Sequence, residues 1–160
     1  MSRQKMLIIA IIALLLPLLP TIPTSSAYTA LSPIHIVGDS GFVQLNQTYP
    51  GSVKGYGNIT HPYVIEGFEI LATSGPAIWV EDTRAYFIIN ACYVHGNGEH
   101  PGIIFDNVSH GAVLNTLVED TDIAIQLNDC RDCYVGGCSL QWNNYGIKAD
   151  RCEKITLLLT

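Results

Sequence analysis

Four aspartates raise the first chemical question. Asp82, Asp106, Asp129 and Asp150 recur along the chain. Paired carboxylates do acid–base work when they stand about 5–10 Å apart with different pKa values. Three histidines, His95, His100 and His110, lie near Cys92 and Glu99. Such ligands make a copper or zinc site if they converge at about 2.0–2.3 Å on one ion. The stretch CRDCYVGGC, Cys130 to Cys138, holds a C-x-x-C and a third cysteine. That is a metal or redox pattern only when a second half or a βαβ context accompanies it, and neither is present. Trp79, Tyr86 and Trp142 could hold sugars through outward aromatic faces. Sequons at Asn46, Asn58 and Asn107 are acceptors in an exported chain whose host glycosylates.

Whether any of these groups meet depends on the elements that carry them, and the chain repeats. Ile78, Ile103, Ile125 and Ile147 each follow Ala or Gly. Taken as position zero, they align Val80, Phe105, Leu127 and Ala149 at plus two. They align Thr83, Val108, Cys130 and Cys152 at plus five, and Ile88, Val113, Val135 and Leu157 at plus ten. Tyr93, Val118 and Leu140 follow at plus fifteen. Apolar positions at short, mostly even steps suit strands with alternating faces, and Asp, Asn and Gly clusters between them suit turns. A period near 22 residues, with three short strands and no ten-residue helical segment, predicts an all-β β-solenoid. Stacked coils about 4.8 Å apart turn each column into an inward ladder. A leucine-rich repeat shares the period, but its leucine consensus is absent.

The stretch YGNITHPYVIEGFEI, Tyr56 to Ile70, enters the same frame. Ile65 aligns with Ile88 and Ile70 with Tyr93, while Gly67 joins Asn90, Asn115 and Gly137 at a turn that suits left-handed backbone. It therefore reads as the first full rung, with Ile65 and Ile70 inward. Together with IHIVGDSGF (Ile34–Phe42) and the repeating glycine-isoleucine units, it resembles the exported right-handed parallel β-helix proteins common in archaea, the NosD-like, pectin-lyase-like superfamily. The resemblance spans about residues 34–160. It implies a right-handed parallel β-helix of about five coils behind an N-terminal cap at 28–54, with repeats over 55–160. The superfamily mixes polysaccharide lyases, hydrolases, epimerases, copper-site maturation proteins and surface proteins, so it implies no single activity.

Within that frame each candidate has a plainer competitor. The four aspartates fall at plus three or plus four, so stacked coils bring them into a rough row. Lyase-like relatives imply calcium at such clusters, and polygalacturonase-like relatives imply acid–base carboxylates. Yet Asp after a short strand is also what a turn selects, with Arg84, Arg131 and Arg151 at hand to pair. His95 and His110 fall on different sides of the coil, which favours loop histidines over metal ligands. Cys130 and Cys152 read as small inward ladder residues, and a disulfide between them is within the geometric range of in-register neighbours. Trp79 at plus one points outward.

The ends and the charge bound the rest. Arg3 and Lys5, the apolar Met6 to Pro20 and the small residues Ser25 to Ala27 have the layout of a signal peptide over residues 1–27. Fifteen apolar residues with Pro17 and Pro20 are short for a span, which needs about 20, so cleavage is preferred to an uncleaved anchor. Without Arg3 and Lys5, 6 basic residues face 14 acidic ones, a balance of −8. An acidic domain is a poor match for nucleic acid. The closing KITLLLT ends in a strand without a polar cap, which reads as either a truncated or interrupted product or a module that stacks on a partner, and predicts self-association through Ile155–Leu159. The preferred reading is a secreted or cell-surface protein with no cofactor, binding a surface glycan or polymer through Trp79, Asp82, Asp106 and Asp129. A lyase or hydrolase and a copper-site maturation protein are the alternatives.

Overall fold

Short apolar runs, most of them closed by a residue in the left-handed region, make the strands of this chain. The computed structural model describes residues 28–158; the leader expected over 1–27 lies outside them. Three five-stranded parallel sheets stack coil upon coil. The first comprises β1 (Thr29–Leu31), β4 (Phe68–Ala72), β7 (Tyr93–Gly96), β10 (Leu117–Glu119) and β13 (Ser139–Gln141). The second comprises β2 (Ile34–Val37), β5 (Ile78–Glu81), β8 (Ile103–Asp106), β11 (Ile123–Asn128) and β14 (Tyr145–Asp150). The third comprises β3 (Tyr63–Glu66), β6 (Phe87–Asn90), β9 (Gly111–Leu114), β12 (Tyr134–Gly136) and β15 (Thr156–Leu158). Five rungs per sheet make about four full turns from first rung to last. No helix recurs within the coils, unlike a leucine-rich repeat.

The second sheet follows the expected register. Ile34, Ile78, Ile103, Ile125 and Ile147 pair in sequence up the solenoid. Ile78, Ile103 and Ile125 are wholly buried, as are Val80, Phe105 and Leu127 one step along. Beyond the next corner the expected columns slip by one residue. Ile89, not Ile88, pairs with Val113, and Val94, not Tyr93, pairs with Val118. Phe87 pairs with Gly111 although Ile78 pairs with Ile103, so the corner at 83–87 carries one extra residue. The slip also moves the turn column: Gly67, Ala91, Asn115 and Gly137 hold φ of 75°, 47°, 48° and 63°. Ala91 takes the place expected of Asn90. Ile65 and Ile70 are fully buried and Gly67 makes the corner between them, as expected.

The 28–54 segment departs from a simple cap. It supplies β1 and β2, rungs of two sheets, and then an 11-residue helix, α1 (Gly38–Thr48). The repeats thus begin at Thr29, not at residue 55. Two glycines and no good helix former at its start hid this helix. Tertiary burial holds it: Phe42 is fully buried, stacked 4.6 Å from Tyr63 and tilted against Phe87 at 5.1 Å. Leu45 and Val53 join the same core. One rung higher the aromatic column meets Gly111, where a Cβ would lie 2.6 Å from the Phe87 ring and 2.9 Å from that of Phe105. At the far end Leu157 and Leu158 are 47% and 58% exposed.

Candidate functional site

Alternation along the second sheet puts isoleucine and its plus-two partner inside and the residues between them outside. Two outward ladders result. One runs His35, Trp79, Ile104, Gln126, Lys148; the other runs Val37, Glu81, Asp106, Asn128, Asp150. Each strand then ends in a left-handed residue: Asp82 (φ 55°), Asn107 (52°), Asp129 (50°) and Arg151 (50°). Asp and Asn tolerate this region because their short side chains bond locally. The expected row of aspartates therefore resolves into two adjacent columns. Asp106 and Asp150 stand in the strands beside Glu81, and Asp82 and Asp129 stand at the corner.

The carboxylates are not equivalent. Arg151 forks onto Asp129, with Nε donating at 2.8 Å and Nη2 at 2.9 Å, and it also contacts Asp150. That guanidinium holds the Asp129 carboxyl below the usual range. Asp82 accepts a 2.7 Å bond from Asn107 Nδ2, and Arg84 donates to the Asn107 carbonyl and Oδ1 at 2.9 and 3.1 Å. Arg131 turns away to Glu153 at 2.6 Å. Asp106 has no such cation. Its partial burial, then the charges of Asp129, Glu81 and Asp82, push its pKa up.

At the lower end of this face the His35 ring stacks on Trp79, centroids 4.3 Å apart and 16° from parallel. His35 Nε2 donates to Glu81 Oε1 at 2.7 Å. Trp79 is half-buried, and its Nε1 is the single buried side-chain nitrogen or oxygen without a hydrogen-bond partner among the described residues. An unmet buried donor costs about 1–3 kcal/mol. Register thus places Trp79, Asp82, Asp106 and Asp129 on one flank, with His35 and Glu81 beside them. Neither was legible as a site residue, because His35 lies before the repeat begins and Glu81 needed the register of Asp106.

The other candidates scatter. His95 donates to Glu69 at 3.1 Å and stacks on Tyr93, on the first sheet. His110 stacks 4.2 Å from Tyr86 at the corner before the third sheet, in a groove of about 270 Å³ with Ile59, Pro62, Asp132 and Tyr134. Among the described residues no three His, Cys, Asp or Glu side chains are placed to hold a metal ion. Trp142 is 75% exposed at a corner far from Trp79 in the frame. The Asn46 oxygen accepts from the Gly51 and Val53 amides, and the Asn58 oxygen from Thr60 and His61. At Asn107 the amide nitrogen itself is engaged, by Asp82. Cys130 and Cys152 occupy the inward column read for them, and all five cysteines are free thiols.

A family model described as a right handed beta helix region matches residues 42–158. No curated protein matches the chain, and no solved structure does.

Proposed function

Because the chain belongs to the right-handed β-helix family, a fold that hosts many functions, we propose that it is an exported binding protein whose second-sheet flank holds a glycan or similar polyhydroxylated polymer. The carrying observation is one flat face on which a stacked His35–Trp79 pair stands beside the carboxylates Glu81 and Asp106. An aromatic face packs the apolar side of a sugar ring, and carboxylates accept from its hydroxyls. Export rests on the charged, apolar and small-residue succession of residues 1–27. A second β-helix module is the protein partner this reading favours.

The test is a glycan array probed with the full chain, followed by titration of any hit with Trp79→Ala and with the conservative pair Glu81→Gln and Asp106→Asn. Binding should fall in both, with the melting curve of the conservative pair showing no loss of fold. Absence of any polymer hit, or binding indifferent to both changes, refutes the assignment. One observation favours a carbohydrate-active enzyme as the second reading. Glu81 and Asp106 are register neighbours one rung apart, with backbones about 4.8 Å apart, which brings two carboxyl groups within reach of the separation of about 5 Å that retaining glycosidases use. The raised Asp106 would be the acid. Release of reducing ends from a bound polymer, lost in Asp106→Asn, separates enzyme from binder.

A further inference from the structure

All five cysteines occupy one kind of place. Each directly follows a left-handed residue: Ala91, Asp129, Asp132, Gly137 or Arg151. That backbone turns the next side chain into the core. Each Sγ then donates to the carbonyl two residues back, at 3.1 to 3.5 Å. Thr116 does the same with its hydroxyl at 2.9 Å. It sits in the ladder between Cys92 and Cys138, as the Leu117 amide bond to Cys92 and the Ser139 amide bond to Thr116 show. Cys92 and Cys138 are therefore corner residues two rungs apart, with no thiol beside them in their own column.

The corner between β11 and β12 differs. Two left-handed residues three apart, Asp129 and Asp132, throw both Cys130 and Cys133 inward, and each is only 2% exposed. Cys130 stands directly above Val108, whose carbonyl accepts from the Arg131 amide at 2.9 Å. The Cys133 Sγ reaches that same Val108 carbonyl at 3.9 Å. The two thiols thus turn into one small volume beside the Val108 carbonyl, and their mutual interaction holds the Cys133 thiol below its ordinary pKa and pushes Cys130 up. Lower coils carry Val108 with Gly111, and Thr83 with Phe87, at these two places. Cys152 lies above Cys130 on the next rung, as the Glu153 amide bond to the Cys130 carbonyl shows.

We propose that Cys130 and Cys133 form an intra-corner disulfide when the folding chain meets a low-molecular-weight disulfide oxidant. The Cys133 thiolate attacks one sulfur of glutathione disulfide and expels one glutathione thiolate, leaving a mixed disulfide on Cys133. The Cys130 thiol, giving up its proton to solvent, attacks the Cys133 sulfur and releases the second glutathione. Two protein thiols are oxidised to one disulfide and one glutathione disulfide is reduced to two thiols. Burial of both sulfurs places this exchange during folding, before the corner closes.

The full chain, refolded in a glutathione redox buffer, alkylated and digested with trypsin without reduction, decides the matter. Cleavage after Arg131 separates Cys130 from Cys133, and cleavage after Arg151 and Lys154 isolates Cys152. The expected map joins the peptide ending at Arg131 to the one beginning at Asp132 and leaves three of the five cysteines alkylated. The peptide ending at Arg131 also carries Cys92, and the one beginning at Asp132 also carries Cys138, so Cys130→Ser and Cys133→Ser should each abolish the link, and Cys92→Ser, Cys138→Ser and Cys152→Ser should keep it. A link from the Arg131 peptide to the Cys152 peptide overturns the proposal. Five alkylated thiols in chain that circular dichroism shows to be folded also overturn it. If Cys130→Ser or Cys133→Ser does not fold, the Cys92→Ser, Cys138→Ser and Cys152→Ser maps still decide.

Discussion

Replacing Asp39 by alanine should unfasten the N-terminal helix from the solenoid. Asp39 lies in the first turn of α1, and its Oδ1 accepts from Thr83 Oγ1 at 2.5 Å and from the Arg84 and Ala85 amides at 3.1 Å each. One carboxylate thus ties the helix to the first corner of the next coil. In the alanine variant the fully buried Thr83 hydroxyl loses its acceptor, while the Ala85 amide keeps Thr83 Oγ1 at 3.2 Å. The stranded hydroxyl costs about 1–3 kcal/mol, and the lost bond from the Arg84 amide adds about 1 kcal/mol once solvent access is discounted. The total is about 2–4 kcal/mol, or roughly 6–12 °C in melting temperature for a chain of this size. Urea titration and thermal melts followed by circular dichroism at pH 7 measure it. Thr83, above all, and the two amides hold the Asp39 carboxyl below its ordinary value of 3.8. A depressed folded pKa contributes stability above the unfolded value and loses it as pH falls through the folded one. The gap between wild type and variant should therefore be full well above the unfolded value of 3.8 and narrow as pH falls below it. A difference under about 0.5 kcal/mol, within the range of ordinary surface substitutions, or one that persists unchanged into acid, refutes the clasp.

Two further outcomes follow from the corners and the flank. Ala91 is held at φ 47° in a column otherwise filled by Gly67, Asn115 and Gly137, so Ala91→Gly should stabilise the chain by about 0.5–1 kcal/mol after the unfolded-state entropy of glycine is counted. A raised urea midpoint with an unchanged slope checks it. Asp106 has the opposite linkage to Asp39: burial first, then Asp129, Glu81 and Asp82, raise its folded pKa above 3.8. Wild type therefore loses stability as pH rises from 3.8 through the raised value, and Asp106→Asn should melt higher than wild type at pH 7 but level with it near pH 3, as parallel melts across that range would reveal.

The period and the inward columns were legible in the linear chain. Ile78, Ile103, Ile125 and Ile147 announced their own ladder, Gly67 its corner, and Cys130 and Cys152 their inward place. These are local facts: a strand alternates its faces, and a left-handed residue must be Gly, Asn or Asp unless something holds it. The same reasoning put Trp79 outward and Asp82, Asp106 and Asp129 near one another, because all three lie within four residues of a ladder isoleucine.

What the linear chain left open lay wherever a decision passed between coils. The extra residue at 83–87 leaves the apolar pattern intact on both sides, so Ile88 and Ile89 look equally inward until the neighbouring strand hydrogen-bonds to one of them. Helix α1 has weak propensity of its own and exists because Phe42 and Leu45 have an open solenoid end to cover. The partition of the carboxylates into Arg-paired Asp129 and unpaired Asp106, the stacking of His35 on Trp79, and the meeting of Cys130 with Cys133 all depend on side chains from different rungs or across one bend. Sequence determined the repeat, because periodicity is written in each coil separately. Tertiary structure decided the site, because only the stacked backbone fixes which side chain of one coil stands over which of the next.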